Sequence, residues 1–437
     1  MKKTLASIFL RYLRICARLQ LLKFRPVIVG IGGASGKTSL TSLTSLVLRH
    51  KYKVLETKGK NSETGIPLSV LRLKMENYSL AEWIKVAVLA PLRVIFDWNR
   101  FEVLVAELGI DGPNEPKNMT YLLGIVKPKI AALTNISFEH SVYFESETKE
   151  KQKILDLTVR EELRLLTSLP ENGLAVLNVD DPNIRGAKGI KAAKIAVSAK
   201  EMISDFFIEK TEADIKNFRV YFIHKNNKYK VNIPQPLPDH YAYTIVMAIS
   251  IGVRFGFDIP EAIEIIEKEF SLPPGRITLF KGKKDTVIID SSYNNATLSP
   301  IIDLLDLLKR VSGKRRKVAI VGDMRELGII AQDYHKKVAA KLLETTDLVL
   351  LIGPLMKKYA APVLSKNNHK FLSFETFSEA KKIINEIIKE NDIVLVKGSQ
   401  NTLFLERIVE MLLLDPRDRS RLCRRGKFWD RIRAKTA

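Results

Sequence analysis

The segment Gly33-Ala34-Ser35-Gly36-Lys37-Thr38-Ser39 constrains what this chain can fold into more than any other stretch. It follows the short apolar run Val27-Ile28-Val29-Gly30-Ile31 and precedes the helical run 40–48. A buried parallel strand, a glycine turn and a helix N-terminus are thus specified in that order. Glycines let backbone N–H groups approach phosphate oxygens, and a helix N-terminus adds partial positive charge. Lys37 has the length to reach terminal phosphates, and Thr38 supplies a hydroxyl for Mg²⁺. In the standard G-x-x-x-x-G-K-S/T, a glycine stands where this chain has Ile31; here Gly30 is one place early. The segment reads as a nucleoside triphosphate loop, with residues Gly33, Ala34, Ser35, Gly36, Lys37, Thr38 and Ser39 as its contacts.

Further apolar runs at 103–108, 130–136 and 174–179 are spaced widely enough to hold helices between them, the rhythm of a doubly wound α/β sheet. Residues 218–233 alternate around Asn226-Asn227, the pattern of a hairpin at the sheet edge. Helical periodicity runs from His240 to Phe255, and Pro273-Pro274-Gly275 then breaks the chain before four more strand-like runs at 287–290, 318–322, 348–353 and 393–396. The expected fold class is α/β. A P-loop central ATPase domain with a parallel-rich sheet, at 26–236, precedes a smaller Rossmann-like C-terminal domain at 237–414.

The chain's formal charge of +22 is concentrated at its ends. Residues 1–25 form a basic amphipathic helix with Arg11, Arg14 and Arg18 interrupting its apolar positions, which fits neither a signal peptide nor a membrane span. Such a helix either lies on an anionic membrane surface or docks on its own domain. Residues 415–437 form a basic tail with nine Lys/Arg against three Asp. Two cysteines, Cys16 and Cys423, at opposite ends offer neither a zinc cluster nor a disulfide framework, and point to a reducing, cytoplasmic setting.

Beyond the loop, several segments resemble the Mur ligase family, ATP-dependent amide-forming enzymes of cell-wall precursor synthesis, whose loop has the shortened form G-x-x-G-K-S/T. Asn61-Ser62-Glu63-Thr64-Gly65-Ile66-Pro67-Leu68 resembles N-N-D/E-x-G-x-P-L of the branch that adds D-alanyl-D-alanine. Glu107-Leu108-Gly109 resembles E-L/M-G, and Thr134-Asn135-Ile136 with His140 resembles T-N-I/L-x-x-x-H. Gly275-Arg276, Ile289-Asp290-Ser291-Ser292-Tyr293-Asn294, Gly322-Asp323-Met324-Arg325-Glu326-Leu327-Gly328 and Lys397-Gly398-Ser399 follow in family order.

The resemblance implies ATP, Mg²⁺ and a reaction through an acyl phosphate, with a cell-wall precursor and an amino acid or dipeptide as substrates. It implies Thr38 and Glu107 as Mg²⁺ ligands, His140 as ligand to a second Mg²⁺, and Lys151 as a carbamylated lysine, with Lys149 and Lys153 as rivals. Arg276 would approach the ATP phosphates, while Asp290 and Asn294 would serve the nucleotide. Asn61, Ser62, Glu63, Lys397 and Ser399 would face the substrates, and Lys37, Glu107, His140, Lys151 and Arg276 would carry catalysis.

Three departures qualify this pattern. The family's G-x-H-N-x-x-N reads Pro238-Asp239-His240-Tyr241-Ala242-Tyr243-Thr244, so Tyr241 or Tyr243 either stacks on adenine or packs in the core. Ser291 and Asn295 replace Asp and Ala in I-D-D-S-Y-N-A. About 25 residues precede the loop strand where this branch carries a separate domain gripping the UDP end. An acceptor held beside the inner face of an anionic membrane would fit the basic helix. Another ligase of the same superfamily or a noncatalytic ATP-binding relative are the alternatives. A nucleic-acid-binding ATPase would explain the charge but not the ordered motifs, and nucleic acid is not an expected partner.

Overall fold

The computed structural model describes residues 2–57, 59–75, 79–138, 141–294, 297–398 and 402–434, with backbone only at 2–5. The chain divides into two compact units, Met1–Thr211 with Val220–Val231 and His240–Phe270, and Glu212–Arg219 with Asn232–Asp239 and Ser271–Ala437.

The larger sheet is built from β1 (Val27–Gly32), β2 (Val54–Glu56), β3 (Val103–Glu107), β4 (Ile130–Leu133), β5 (Leu174–Asn178), β6 (Ala193–Ser198), β7 (Phe206–Ala213), β8 (Phe218–His224) and β9 (Asn227–Ile233), in the order β2-β3-β1-β4-β5-β6-β7-β8-β9. β1 through β7 pair in parallel, as expected of strands buried on both faces. β1 lies between β3 and β4, with Ile31 opposite Glu107 and Gly32 opposite Leu133. Whatever follows β3 and β4 therefore flanks the loop that follows β1. The β8–β9 turn holds Lys225 and Asn226 at positive φ, the backbone of a tight hairpin.

Helices of this unit are α1 (Lys2–Phe24), α2 (Lys37–Leu48), α3 (Gly65–Val70), α4 (Leu80–Phe96), α5 (Met119–Leu123), α6 (Lys151–Thr167), α7 (Pro182–Arg185), α8 (His240–Arg254) and α9 (Ile259–Glu269). α1 is docked on its own unit: Leu13, Ala17 and Phe24 are buried, and α1 packs on α3 and α4. His240–Phe270, which holds α8 and α9, packs with the first unit. α8 buries 11 of its residues and packs on α2. A Cβ on Gly252 would lie 3.0 Å from Val47 Cγ1, so glycine permits that close approach.

The second unit carries β10 (Thr278–Gly282), β11 (Thr286–Ser291), β12 (Lys317–Gly322), β13 (Leu348–Ile352), β14 (Phe371–Phe374) and β15 (Ile393–Lys397), in the order β10-β11-β15-β12-β13-β14. Only the β10–β11 pair is antiparallel, giving a Rossmann-like sheet with α10 (Leu298–Val311) and α11 (Ala331–Thr345) among its helices. Its core joins Ile288, Ile320, Leu350 and Val394 from four strands.

The expected basic tail is an integral part of this unit as far as Ala434. Arg424 is buried in an ion pair with Glu406 at 2.9 Å, while Arg419 and Arg425 both reach Glu410. Leu422 joins the unit's apolar core, and the arginines around it neutralise buried or half-buried carboxylates that would be costly to leave unpaired.

Candidate active site

The loop expected from the sequence has the backbone its glycines require. Gly33 has φ +114° and Gly36 φ +84°, both left-handed, and a Cβ on Gly33 would overlap Thr134 Oγ1. The residues after β4 brace the loop. Ala34 N–H donates to the Asn135 carbonyl at 2.8 Å, Ser35 N–H to Asn135 Oδ1 at 2.9 Å, and Thr134 Oγ1 to the Ser35 carbonyl at 2.6 Å. The T-N motif thus shapes the phosphate cradle. Lys37 Nζ donates to the carbonyls of Gly33 and Ala34, so its ammonium lies across the loop it opens.

Glu107, at the end of β3, is 2% exposed. Thr38 Oγ1 donates to its Oε1 at 3.1 Å and Asn61 Nδ2 to the same oxygen at 3.3 Å, with Gly59 N–H 3.5 Å from Oε2. Three sequence-predicted residues, Thr38, Asn61 and Glu107, therefore converge. A carboxylate and a hydroxyl beside a phosphate loop are hard oxygen donors of the kind Mg²⁺ takes. The fit rests on Glu107 holding donors rather than an ion-paired cation: swapping those hydrogen bonds for a metal leaves its charge balanced. Gly109 is needed alongside, because a Cβ there would lie 2.6 Å from Asn61 Nδ2.

Ser62 Oγ accepts from Gly65 N–H at 3.2 Å and so opens α3, while Glu63 lies 3.7 Å from Lys117. Both are committed to local structure at the edge of this site. Lys151 is the first residue of α6 and is exposed; Lys149 and Lys153 pair with Glu145 and Glu150. His140 and Ser399 lie outside the described residues. Among the described residues no cluster of three or more His, Cys, Asp or Glu is arranged to hold a metal.

Tyr241 and Tyr243 have hydrogen-bonding roles. Ser39 Oγ donates to Tyr241 Oη at 3.4 Å, and Tyr243 Oη donates to Asp180 Oδ2. Burial alone would raise the Asp180 carboxyl, but donors from Ser198, Tyr243 and Ala199 hold it below the usual carboxylate range.

Sequence reasoning missed Glu162. Its Oε2 accepts the Gly33 N–H at 3.1 Å, anchoring the start of the phosphate loop from α6. The signal was present in the helical spacing: Ile154, Thr158, Glu161, Glu162, Leu165 and Leu166 are all buried, so two carboxylates interrupt an apolar face. Its neighbour Glu161 accepts from Met119 N–H at 3.2 Å and is raised by burial.

In the second unit, Arg276 lies over the Tyr293 ring at 5.5 Å, and its buried Nε has no hydrogen-bond partner. Asp290 does not reach the surface. Its Oδ1 accepts from Ser292 N–H at 3.0 Å, Oδ2 is unpartnered, and burial raises the carboxyl to about 6. In this structure it braces the 291–294 turn from within the unit. Lys397 is likewise 2% exposed, and its Nζ donates to the carbonyls of Asn294 at 2.8 Å and Gly398 at 3.1 Å. It ties that turn to the end of β15. Asn294 is thus held through its backbone.

Comparison with known proteins decides what this loop, carboxylate and second Rossmann-like unit belong to. The Mur ligase middle domain matches residues 31–252, and the Mur ligase glutamate ligase domain matches residues 275–400. The chain belongs to the Mur ligase family. Among its relatives, the UDP-N-acetylmuramoyl-tripeptide–D-alanyl-D-alanine ligase of Buchnera aphidicola is 26% identical over 88% of this chain and 75% of its own length. The Bacillus subtilis ligase of that name is 24% identical over 89% and 76%. Of solved structures, the MurF ligase of Thermotoga maritima in complex with ADP superposes with a TM-score of 0.73 at 21% identity, covering 92% of this chain and 83% of that one. A pseudomurein peptide ligase type C of Methanothermus fervidus gives 0.60 at 16%, covering 89% and 79%. This Mur ligase therefore shares its fold with ligases of more than one wall polymer.

Proposed function

We propose that this Mur ligase joins D-alanyl-D-alanine to a muramoyl-peptide-like cell-wall precursor in an ATP-dependent reaction. The observation that carries the proposal is the convergence of Thr38 and Asn61 on buried Glu107 beside a braced phosphate loop, on a fold shared with a ligase holding ADP. The precursor carboxylate attacks the γ-phosphorus of ATP, and the bond to the β,γ-bridging oxygen breaks, giving an acyl phosphate and ADP. The dipeptide amine then attacks the acyl carbon. Phosphate leaves with the C–O bond electrons, and the amine loses a proton as the amide forms.

Such a transfer depends on neutralising phosphate charge more than on covalent protein chemistry. Lys37, swung off the Gly33 and Ala34 carbonyls, reaches the terminal phosphates; loop N–H groups from Gly33 to Ser39 hold them, and Arg276 supplies a second cation. Thr38 and Glu107 are the residues that would hold Mg²⁺, which when bound would offset the charge shared by the β- and γ-phosphates. His140 is assigned to a second Mg²⁺ and Lys151, as a carbamate, to its support; the exposed amine at the start of α6 is accessible to CO₂. Ser62, Glu63 and Ser399 are assigned to the substrates. The protein acts in the cytoplasm, in contact with the anionic inner face of the membrane.

The test is release of ADP and phosphate with Mg²⁺ and ATP, offering D-alanyl-D-alanine and muramoyl-tripeptide acceptors in UDP-linked and lipid-linked forms. Release requiring both substrates, a new amide by mass spectrometry, and its loss in Lys37→Ala are expected. ATP binding without turnover on any pair would overturn the reading. For the carbamate, Lys151→Ala should be rescued by added short carboxylates; activity unaffected by that substitution would remove Lys151 from the site.

A further inference from the structure

α1 and α4 pack side by side in parallel register: Tyr12 Oη donates to the Ala87 carbonyl at 2.6 Å, the Phe9 and Trp83 rings meet edge-on at 4.8 Å, and Lys23 Nζ donates to the Val94 carbonyl at 2.9 Å. The pair buries Leu13, Cys16, Val86 and Ala90 against Leu68 and Leu71. What it leaves outside is unusual for a protein surface. On α4, only Val86 and Ala90 are buried, while Leu80, Ile84, Val88, Leu92 and Phe96 stand exposed at every fourth position. Trp98, just beyond, is 74% exposed. On α1, Ile8, Ile15, Leu19 and Leu22 are exposed, interleaved with exposed Arg11 and Arg18.

A single exposed Leu needs no explanation, but stripes on two adjacent helices make a contiguous apolar surface of the kind that marks a partner or a membrane. Charge selects between them. α1 contains no acidic residue and α4 only Glu82, whereas Arg11, Arg18 and Arg25 are exposed along α1 and its end, and Lys85, Arg93 and Arg100 along α4 and beyond it. Where the two helices end, a cavity of about 450 Å³ is lined by Arg25, Arg100, Lys129 and Arg254 against one carboxylate, Glu102. Apolar side chains flanked by cations, beside a basic pocket, match the acyl boundary and phosphate layer of an anionic bilayer. No helix among the described residues is long and apolar enough to cross a membrane, so the arrangement lies on the surface.

We propose that the parallel α1–α4 pair is a bilayer-docking face, with Leu80, Ile84, Val88, Leu92, Ile15 and Leu22 entering the acyl boundary and the basic pocket taking an anionic lipid headgroup. The proposal deepens the membrane component of the reading above and is independent of the ligase chemistry. It differs from a contribution by the C-terminal tail, whose Arg419, Arg424 and Arg425 are engaged by Glu406 and Glu410.

The full chain is mixed with vesicles of phosphatidylglycerol and phosphatidylcholine or of phosphatidylcholine alone, and binding is read by flotation and by quenching of tryptophan fluorescence with brominated lipid. Binding to the anionic vesicles at least about tenfold tighter is expected, weakening with salt. Ile84→Asp with Val88→Asp, at exposed positions, should lower binding about tenfold or more, while circular dichroism and turnover of soluble substrates stay unchanged. Arg18→Ser with Arg25→Ser should lower it and reduce the salt dependence. Equal binding to both vesicle types, or wild-type binding by the aspartate variant, overturns the proposal. So does concentration-dependent dimerisation abolished by Ile84→Asp without any vesicle binding, which would assign the face to a second copy. Loss of vesicle binding leaves the ligase assay untouched, and an inactive ligase that still binds vesicles fails only the chemistry.

Discussion

At the scale of single residues, chemistry here is set by which polar groups are buried and what they touch. Asp290 illustrates the sign of the effect. Burial shifts its carboxyl from an ordinary 3.8 to about 6, so the folded chain holds the proton more tightly than the unfolded one. Stability contributed by this group is full below the ordinary value, falls as pH rises towards about 6, and is level above. Asp290→Asn keeps the acceptor for Ser292 N–H and removes the buried charge. It is expected to raise stability at pH 7.5 by about 1–3 kcal/mol and to flatten the decline between pH 4 and 6, measured by urea unfolding across pH. A large rise in KM for ATP in that variant would instead return Asp290 to the nucleotide. Glu162 makes the complementary point: no motif announced it, because its role is a hydrogen bond to a backbone N–H that comes within reach only through the packing of α6 on β1 and β4.

At the scale of elements, the phosphate loop was legible because strand, glycines, lysine and helix are contiguous. Its braces were partly legible, as T-N after β4, and their distances follow from β1 lying between β3 and β4. Gly33→Ala places a methyl group on Thr134 Oγ1 at a left-handed φ. A loss of about 1–3 kcal/mol and of most ATP affinity is expected, checked by thermal shift with and without nucleotide. The C-terminal segment reads only as a basic tail because composition shows its charge and not its partners. Glu406 and Glu410, which absorb that charge, sit on the preceding helix (Glu406–Leu412), where they look like ordinary surface acids. Arg424→Met strands Glu406 in the interior. It should cost about 3–5 kcal/mol, largely restored by adding Glu406→Gln, in denaturation monitored by Trp429 fluorescence. α4 escaped the sequence reading for the opposite reason: its apolar residues point outwards, so it shows no polar face to mark it as a surface helix.

At the scale of the whole molecule, the two-domain α/β plan followed from the spacing of apolar runs. The stretch from His240 to Phe255 carries helical periodicity either way, and the packing of α8 and α9 on α2, with α8 also on β5 and β6, groups this segment with the first unit. The N-terminal helix was legible as basic and amphipathic, and its sequence left open whether it docks on protein or lipid. The structure shows one face docked, with Leu13, Cys16 and Ala17 buried, and the other exposed. Removing residues 1–25 is therefore not a clean excision of an accessory arm. It uncovers Leu68, Leu71, Val86 and Ala90, and the shortened chain is expected to aggregate or to lose several kcal/mol of stability, seen by size exclusion and thermal unfolding. An equally stable monomer would show that α1 adds nothing to the core.

The pairing of α1 with α4 also fixes an order of events during synthesis. Tyr12 waits 75 residues for Ala87, and Lys23 waits 71 for Val94. Contacts so distant along the chain close late in folding. Between the emergence of α1 from the ribosome and the completion of α4, the helix has both its apolar faces uncovered and no acidic neighbour along its length. On the docking proposal above, this helix is the part of the chain that a bilayer would meet first during synthesis.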